Sequence, residues 1–148
     1  MLFHFLYNLS PDFAFFNLFR YITFRTFGSI TTALLISFFL GPKFIRWLRS
    51  YQKHGQPIRE DGPESHLITK KGTPTMGGVL ILFSLVTSCL LWGVLTDAYL
   101  WIVLLVTLGF GLLGAFDDYM KLRKRSSKGL SGKSKLFLQI VIGATASV

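Results

Sequence analysis

The chain has 148 residues, of which 51% are hydrophobic, and a formal net charge of +9. Its single cysteine, Cys89, excludes an intrachain disulfide and a multi-cysteine zinc site. The basic residues lie in short stretches between long apolar runs, which argues against nucleic acid as the partner and favours a membrane protein.

The N-terminal stretch, residues 1–20, mixes aromatic and polar side chains. Aromatic rings collect at the membrane–water interface, so we predict an interfacial segment here. No basic region precedes the apolar residues and no small-residue cleavage site follows them, which argues against a secretory signal peptide.

Three apolar runs predict transmembrane helices, because about twenty residues rising ~1.5 Å each cross a ~30 Å hydrocarbon core. Met76–Leu95 and Ala98–Phe116 carry no charge, and only a short turn separates them. Thr26–Leu40 is shorter but can extend to Trp47. We therefore predict an all-α polytopic membrane protein with complete helices at about 21–47, 75–95 and 98–118.

A fourth apolar run begins at Leu136 and is too short to span by Val148. We interpret residues 136–148 as the start of a fourth transmembrane helix. The chain, 1–148, is accordingly expected to be a single, truncated membrane domain of a longer protein.

The basic residues also predict the orientation. Of sixteen Lys and Arg, seven lie in Lys43–Lys71 and seven in Lys121–Lys135. By the positive-inside rule the loops at about 48–74 and 119–135 are cytoplasmic, which leaves the N-terminus and residues 1–20 outside.

An adjacent acid pair, Asp117 and Asp118, ends the third predicted span. A charge within a membrane helix costs ~2.5–3.5 kcal/mol on insertion scales, and the C-terminal end of a helix dipole disfavours acids further. Magnesium, a hard cation that prefers oxygen ligands, is a natural compensating charge. The alternative is that Asp117 merely pairs with Lys121 one turn later. We favour the functional interpretation.

A glycine-rich stretch, Lys70–Gly78, leads into the second predicted span. Thr73 suits an N-cap and Pro74 the first helical position. The helix N-terminus, glycines and lysines could cradle a phosphate, but an ordinary capped span with basic flanks explains them equally well. An antiparallel hairpin of the second and third spans would bring this stretch and the acid pair to one membrane face.

Small residues at 109, 111, 114 and 115 in the third span predict close helix packing. The basic run after it mostly anchors the protein to anionic lipid, although Lys121 shares a helical face with the acid pair.

Three segments together resemble one known family, from about Tyr21 to the end of the chain. Asp61–His66, Lys70–Gly78 and Gly114–Lys121, with Gly129, Leu130 and Lys133 after them, are similar to phospho-N-acetylmuramoyl-pentapeptide transferases. The wider family of polyprenyl-phosphate hexosamine-phosphate transferases shares the Asp-Asp pair and a looser Pro-x-x-Gly-Gly element.

The resemblance implies a ten-helix fold in the bacterial inner membrane with the active site facing the cytoplasm. The implied reaction transfers phospho-MurNAc-pentapeptide from its UDP-linked form to undecaprenyl phosphate, giving lipid I and UMP in peptidoglycan synthesis, with Mg²⁺ as cofactor. It implies Asp117 and Asp118 as catalytic and metal-binding residues, with a further metal ligand beyond Val148. The implied substrate-binding residues are Lys70, Thr75, Lys121 and Lys133.

Several alternatives stay open at this stage. The lipid phosphate could attack directly, which we favour, or an aspartate could form a covalent intermediate. A related UDP-N-acetylhexosamine transferase, or a small non-enzymatic membrane protein that binds anionic lipid, would share parts of the pattern. A homodimer is compatible with the sequence. The chain alone is expected to be inactive.

Overall fold

A computed structural model describes residues 5, 14–52, 74–124 and 129–146. These residues are helical or connect helices, so the all-α prediction is confirmed for this part of the chain. The elements are a 3-10 helix, Ala14–Arg20, followed by α1 (Ile22–Tyr51), α2 (Gly78–Trp92), α3 (Ala98–Lys124) and α4 (Gly132–Ala146).

Among the described residues, two helices, α1 and α3, are long and apolar enough to cross a membrane. They contain 30 and 27 residues, or about 45 and 40 Å at ~1.5 Å per residue. Helix α2 has 15 residues and rises only about 22 Å, although the sequence predicted a complete span here. Most large apolar side chains of α1 and α3 are exposed, as is expected of surfaces that meet lipid or further protein rather than water.

Helix α1 packs antiparallel along α2. Near the middle of the contact, the hydroxyls of Ser37 and Ser84 form a hydrogen bond of 3.0 Å. At the C-terminal end of α2, the indole N–H of Trp92 donates to Thr32 Oγ1 of α1 across 3.0 Å. The Trp92 ring stacks on Phe19, with 5.7 Å between ring centroids, and this contact holds the 3-10 helix against the C-terminal end of α2.

Glycines of α3 allow two close helix contacts. Gly111 lies against Leu82 of α2 with no room for a side chain. A Cβ on Gly109 would come within 3.1 Å of Ile142 in α4. The predicted role in helix packing is therefore confirmed for Gly111 and Gly109, whereas a Cβ on Gly114 would meet nothing within 4 Å.

The start of α2 differs from the prediction. Pro74 is not the first helical residue: the helix begins at Gly78, with Gly77 as N-cap and no side-chain cap. Thr73, the predicted cap, lies outside the described residues. Met76 has a φ of 74°, in the left-handed region that α-helices do not use, so the chain cannot be helical until after it.

Three other helix ends lie beyond the predicted limits, whereas α2 ends at Trp92, short of the predicted limit at 95. Helix α1 continues to Tyr51, α3 continues to Lys124, and α4 begins at Gly132. The predicted limits were placed where charged residues begin, that is, where the chain is expected to leave the hydrocarbon core. Lysine, arginine and leucine are good helix formers, so a helix need not stop where the hydrocarbon does.

Candidate functional site

Asp117 is enclosed by groups from three places in the chain. It is 6% exposed, on the last turns of α3. Lys121, one turn later, places its Nζ 2.7 Å from Oδ2, and Lys135 of α4 places its own 3.6 Å from the same oxygen. The backbone N–H of Leu130 donates to Oδ1 across 2.8 Å. Both carboxylate oxygens of Asp117 are thus engaged by the protein itself.

Gly129 makes this enclosure possible. A Cβ at this position would overlap the Asp117 carboxylate and lie 2.9 Å from the Lys121 side chain. Only glycine lets the backbone come close enough for the next N–H, that of Leu130, to reach Oδ1. Gly129 and Leu130 therefore act through their backbone.

Asp118 has a different environment. Its side chain is 30% exposed, compared with 9% for that of Asp117. Lys121 Nζ lies 3.4 Å from Oδ1, a weaker contact than the one to Asp117. The Thr75 hydroxyl donates to Oδ2 across 2.9 Å. Of the two acids, Asp118 keeps more capacity for an external ligand.

Thr75 is held in turn by Gln52, the residue that follows α1. The Thr75 N–H donates to Gln52 Oε1 across 2.9 Å, and Gln52 Nε2 donates back to the Thr75 carbonyl across 3.2 Å. Gln52 is 8% exposed. The ends of α1 and α3 and the segment before α2 therefore meet at one place.

The predicted convergence of the Lys70–Gly78 stretch and the acid pair is confirmed by the Thr75–Asp118 hydrogen bond. Four of the predicted site residues come together: Thr75, Asp117, Asp118 and Lys121. Lys133 is exposed on the first turn of α4, and within the described part of the chain it pairs with neither aspartate. Lys70 lies outside the described residues.

Four contributors to the site were not predicted from the residue pattern. Lys135 was assigned only to the basic run, and a single sequence holds no signal for its contact with Asp117. Gln52 was not singled out, since one glutamine after a helix is ordinary. Gly129 and Leu130 carried a signal only through their place in the family motif.

The electrostatic expectation was that a positive group must compensate the acid pair, and Lys121 and Lys135 do so in part. A divalent cation on Asp117 would lie beside an ammonium 2.7 Å from Oδ2, and would have to displace Lys121. Asp118 fits a metal better, because its Oδ1 has only the 3.4 Å contact. In the described ranges no group of three or more His, Cys, Asp or Glu is placed to hold an ion.

Comparison with known proteins finds relatives that share one name. Residues 70–82 match the phospho-N-acetylmuramoyl-pentapeptide-transferase signature 1. Over all 148 residues the chain is 58% identical to the phospho-N-acetylmuramoyl-pentapeptide-transferase of Granulibacter bethesdensis and 57% identical to that of Syntrophus aciditrophicus. Over 146 residues it is 56% identical to that of Oleidesulfovibrio alaskensis. Over its whole length the chain is thus similar to part of the phospho-N-acetylmuramoyl-pentapeptide-transferases.

The match covers the whole chain but only part of its relatives. The chain spans 41% of the length of the first two family members and 40% of the third. The transferase signature contains Thr75 and the beginning of α2, so the hydrogen bond from Thr75 links it directly to the acid pair.

Proposed function

We propose that the protein carrying this chain transfers phospho-N-acetylmuramoyl-pentapeptide from its UDP-linked donor to undecaprenyl phosphate, with lipid I and UMP as products. The observation that carries the proposal is the Thr75–Asp118 hydrogen bond, which joins the family signature to the acid pair. The names of the relatives support the substrate class.

The lysines supply the charge that binding a diphosphate requires. Lys121 contacts both acids. Lys133 is exposed on the first turn of α4. We assign both, with Lys70 and Thr75, to substrate binding. An incoming diphosphate can draw Lys121 away from its 3.4 Å contact with Asp118 while the 2.7 Å contact with Asp117 remains.

For the chemical step we favour direct attack. A phosphate monoester has a second pKa of about 6, so the lipid phosphate is already largely dianionic at neutral pH and gains little from a general base. One of its oxygens bonds to the sugar-linked phosphorus of the donor, the diphosphate bridge of the donor breaks, and UMP leaves. Lys121 and Lys133 would offset the negative charge that develops in this transfer.

Magnesium is part of the proposal. Asp118 is the residue that would hold it here, because Asp117 is already occupied by Lys121, Lys135 and the Leu130 N–H. When bound, the cation supplies charge neutralisation to the phosphates. Asp117 would then orient Lys121 towards the substrate.

We also propose a location in the bacterial inner membrane, with the N-terminus outside and the site facing the cytoplasm. The fourteen-to-two distribution of Lys and Arg supports this orientation. A cytoplasmic site suits a donor that is water-soluble and an acceptor that is anchored in lipid.

The test is a transfer assay with a purified full-length enzyme that contains these 148 residues. UDP-MurNAc-pentapeptide, undecaprenyl phosphate and Mg²⁺ should give lipid I and an equal amount of UMP. Equal or faster transfer from a UDP-N-acetylhexosamine without peptide would contradict the donor assignment. Binding to anionic vesicles without transfer from either donor would favour the non-enzymatic alternative.

A further inference from the structure

We propose that Gln52 is a positioning residue for the transfer reaction: it clamps the backbone of Thr75 so that the Thr75 hydroxyl is fixed on Asp118. The inference rests on the proposed function. Gln52 lies outside the matched signature, which covers residues 70–82, and 23 residues before Thr75.

The backbone of Gln52 is fixed at the end of α1. Gln52 is the C-cap of α1, and its backbone N–H donates to the carbonyl of Leu48 across 2.8 Å. Leu48 is itself 4% exposed, in the contact face of the helix. The Gln52 carboxamide therefore starts from a backbone position that α1 determines, and its own burial at 8% exposed leaves it little freedom to turn away.

Both ends of the carboxamide are used on one residue. Oε1 accepts the Thr75 N–H at 2.9 Å and Nε2 donates to the Thr75 carbonyl at 3.2 Å. This pairing imitates the two backbone hydrogen bonds that a neighbouring β-strand would provide. It fixes the position and the direction of the Thr75 backbone, which a single hydrogen bond would not do.

Thr75 needs such a partner because it lies before the first turn of α2, whose N–H groups at Val79 and Leu80 donate to the carbonyls of Met76 and Gly77. Helix α2 begins only at Gly78, and Met76 has the left-handed φ of 74°. Near a hydrocarbon boundary, backbone N–H and C=O groups without a partner are costly. Gln52 satisfies both groups of Thr75 and so stabilises a non-helical segment at the site.

The clamp acts on Asp118 through the Thr75 hydroxyl. With the backbone of Thr75 held, its Oγ1 lies 2.9 Å from Oδ2, and Oδ1 faces Lys121. The carboxylate most available to an external ligand is thereby held in one orientation. In the described part of the structure the side-chain hydrogen bonds of Gln52 go to Thr75 and to neither acid, so we expect its effect on transfer to pass through Thr75.

The test uses a full-length enzyme that contains these residues and compares Gln52→Met and Gln52→Glu with the parent. Methionine keeps the size of the side chain but makes neither hydrogen bond. Glutamate keeps the acceptor but places an oxygen against the Thr75 carbonyl. Both should lower kcat by about 10- to 100-fold, as misplacement of a reacting group typically does, with a smaller change in KM for the UDP-linked donor. Gln139→Met in α4 is the matched control and should keep near-parental kcat.

A double-mutant cycle separates positioning from simple stabilisation. Thr75→Val removes the hydroxyl but keeps the backbone groups that Gln52 holds. In the Thr75→Val background, Gln52→Met should still lower the thermal midpoint but cost little further kcat. If the kcat losses multiply, or if Gln52→Met and Gln52→Glu keep parental kcat, the positioning role is refuted. A parent that forms no lipid I would instead refute the proposed function.

Discussion

The backbone N–H of Leu130 donates a hydrogen bond to Oδ1 of Asp117 across 2.8 Å and ties the segment before α4 to the end of α3. Asp117 also contacts Lys121 and Lys135, so it connects α3 to both the segment before α4 and α4 itself. Asp118 makes no such connection to α4 in the described part of the structure. We therefore expect the two adjacent acids to have separable roles: Asp117 stabilises the site, and Asp118, whose side chain is 30% exposed, is the more available to an external ligand.

Replacing either acid should reduce transfer, but for different reasons. In a full-length enzyme, Asp117→Asn and Asp118→Asn should each cut kcat by ~10²–10³, the usual cost of losing one preorganised charged group. Only Asp117→Asn should also lower the thermal midpoint, because it removes the charge that Lys121 and Lys135 share. Turnover and thermal unfolding in detergent measure the two effects.

The control for the acid pair is Lys124→Ala at the exposed end of α3, which should change neither quantity. Near-parental turnover of both aspartate variants at saturating Mg²⁺ would mean that the pair is purely structural. Equal thermal midpoints for the two variants would contradict the division of roles.

Gly129→Ala should destabilise the site. The added Cβ overlaps the Asp117 carboxylate, so the Gly129–Leu130 backbone must move and the Leu130 hydrogen bond weakens. Overpacking of this kind typically costs about 1–3 kcal/mol. Gly132→Ala is the matched control: a Cβ there meets nothing within 4 Å, and alanine favours the helix that begins at that residue. Comparable unfolding midpoints for the two variants would be inconsistent with the close approach.

The two lysines on Asp117 should differ in importance. Lys121→Met removes the 2.7 Å contact and leaves a buried carboxylate short of its main partner, a loss typically of about 1–3 kcal/mol. Lys135→Met removes a 3.6 Å contact from a more exposed side chain and should cost less. Chemical or thermal unfolding measures the stability lost in each variant. A larger loss for Lys135→Met than for Lys121→Met would show that Lys121 is not the main partner of Asp117.

Orientation can be tested with single cysteines in a Cys89→Ala background, since Cys89 is the only native cysteine. Cysteines at Ser65 and Ser127, in the two basic loops, should resist a membrane-impermeant thiol reagent in intact cells. A cysteine at Thr96, in the turn between α2 and α3, should react. Labelling of Ser65→Cys or Ser127→Cys without permeabilisation would place the site on the other side of the membrane.

The sequence predicted the helical class and the convergence of the site because both follow from short-range patterns. Long apolar runs force the backbone to satisfy its own hydrogen bonds, so helices are the natural outcome. A short turn between two such runs makes them antiparallel, which brings the segment of Thr75 and that of Asp118 to the same end of the helix pair. The contact of Lys121 with the acids follows from its spacing on one helix.

Only the tertiary structure decided where α2 begins, which lysine of α4 reaches Asp117, and what holds Thr75. Helix α2 begins at Gly78, after Met76 in the left-handed region, and a side chain from the end of α1 satisfies the Thr75 backbone in place of a helical turn. Lys135 pairs with Asp117, whereas Lys133, which the resemblance assigned to substrate binding, is exposed and pairs with neither acid in the described part of the chain. These contacts join residues far apart in sequence through side chain and backbone geometry, and no local pattern of hydrophobicity or charge encodes that geometry.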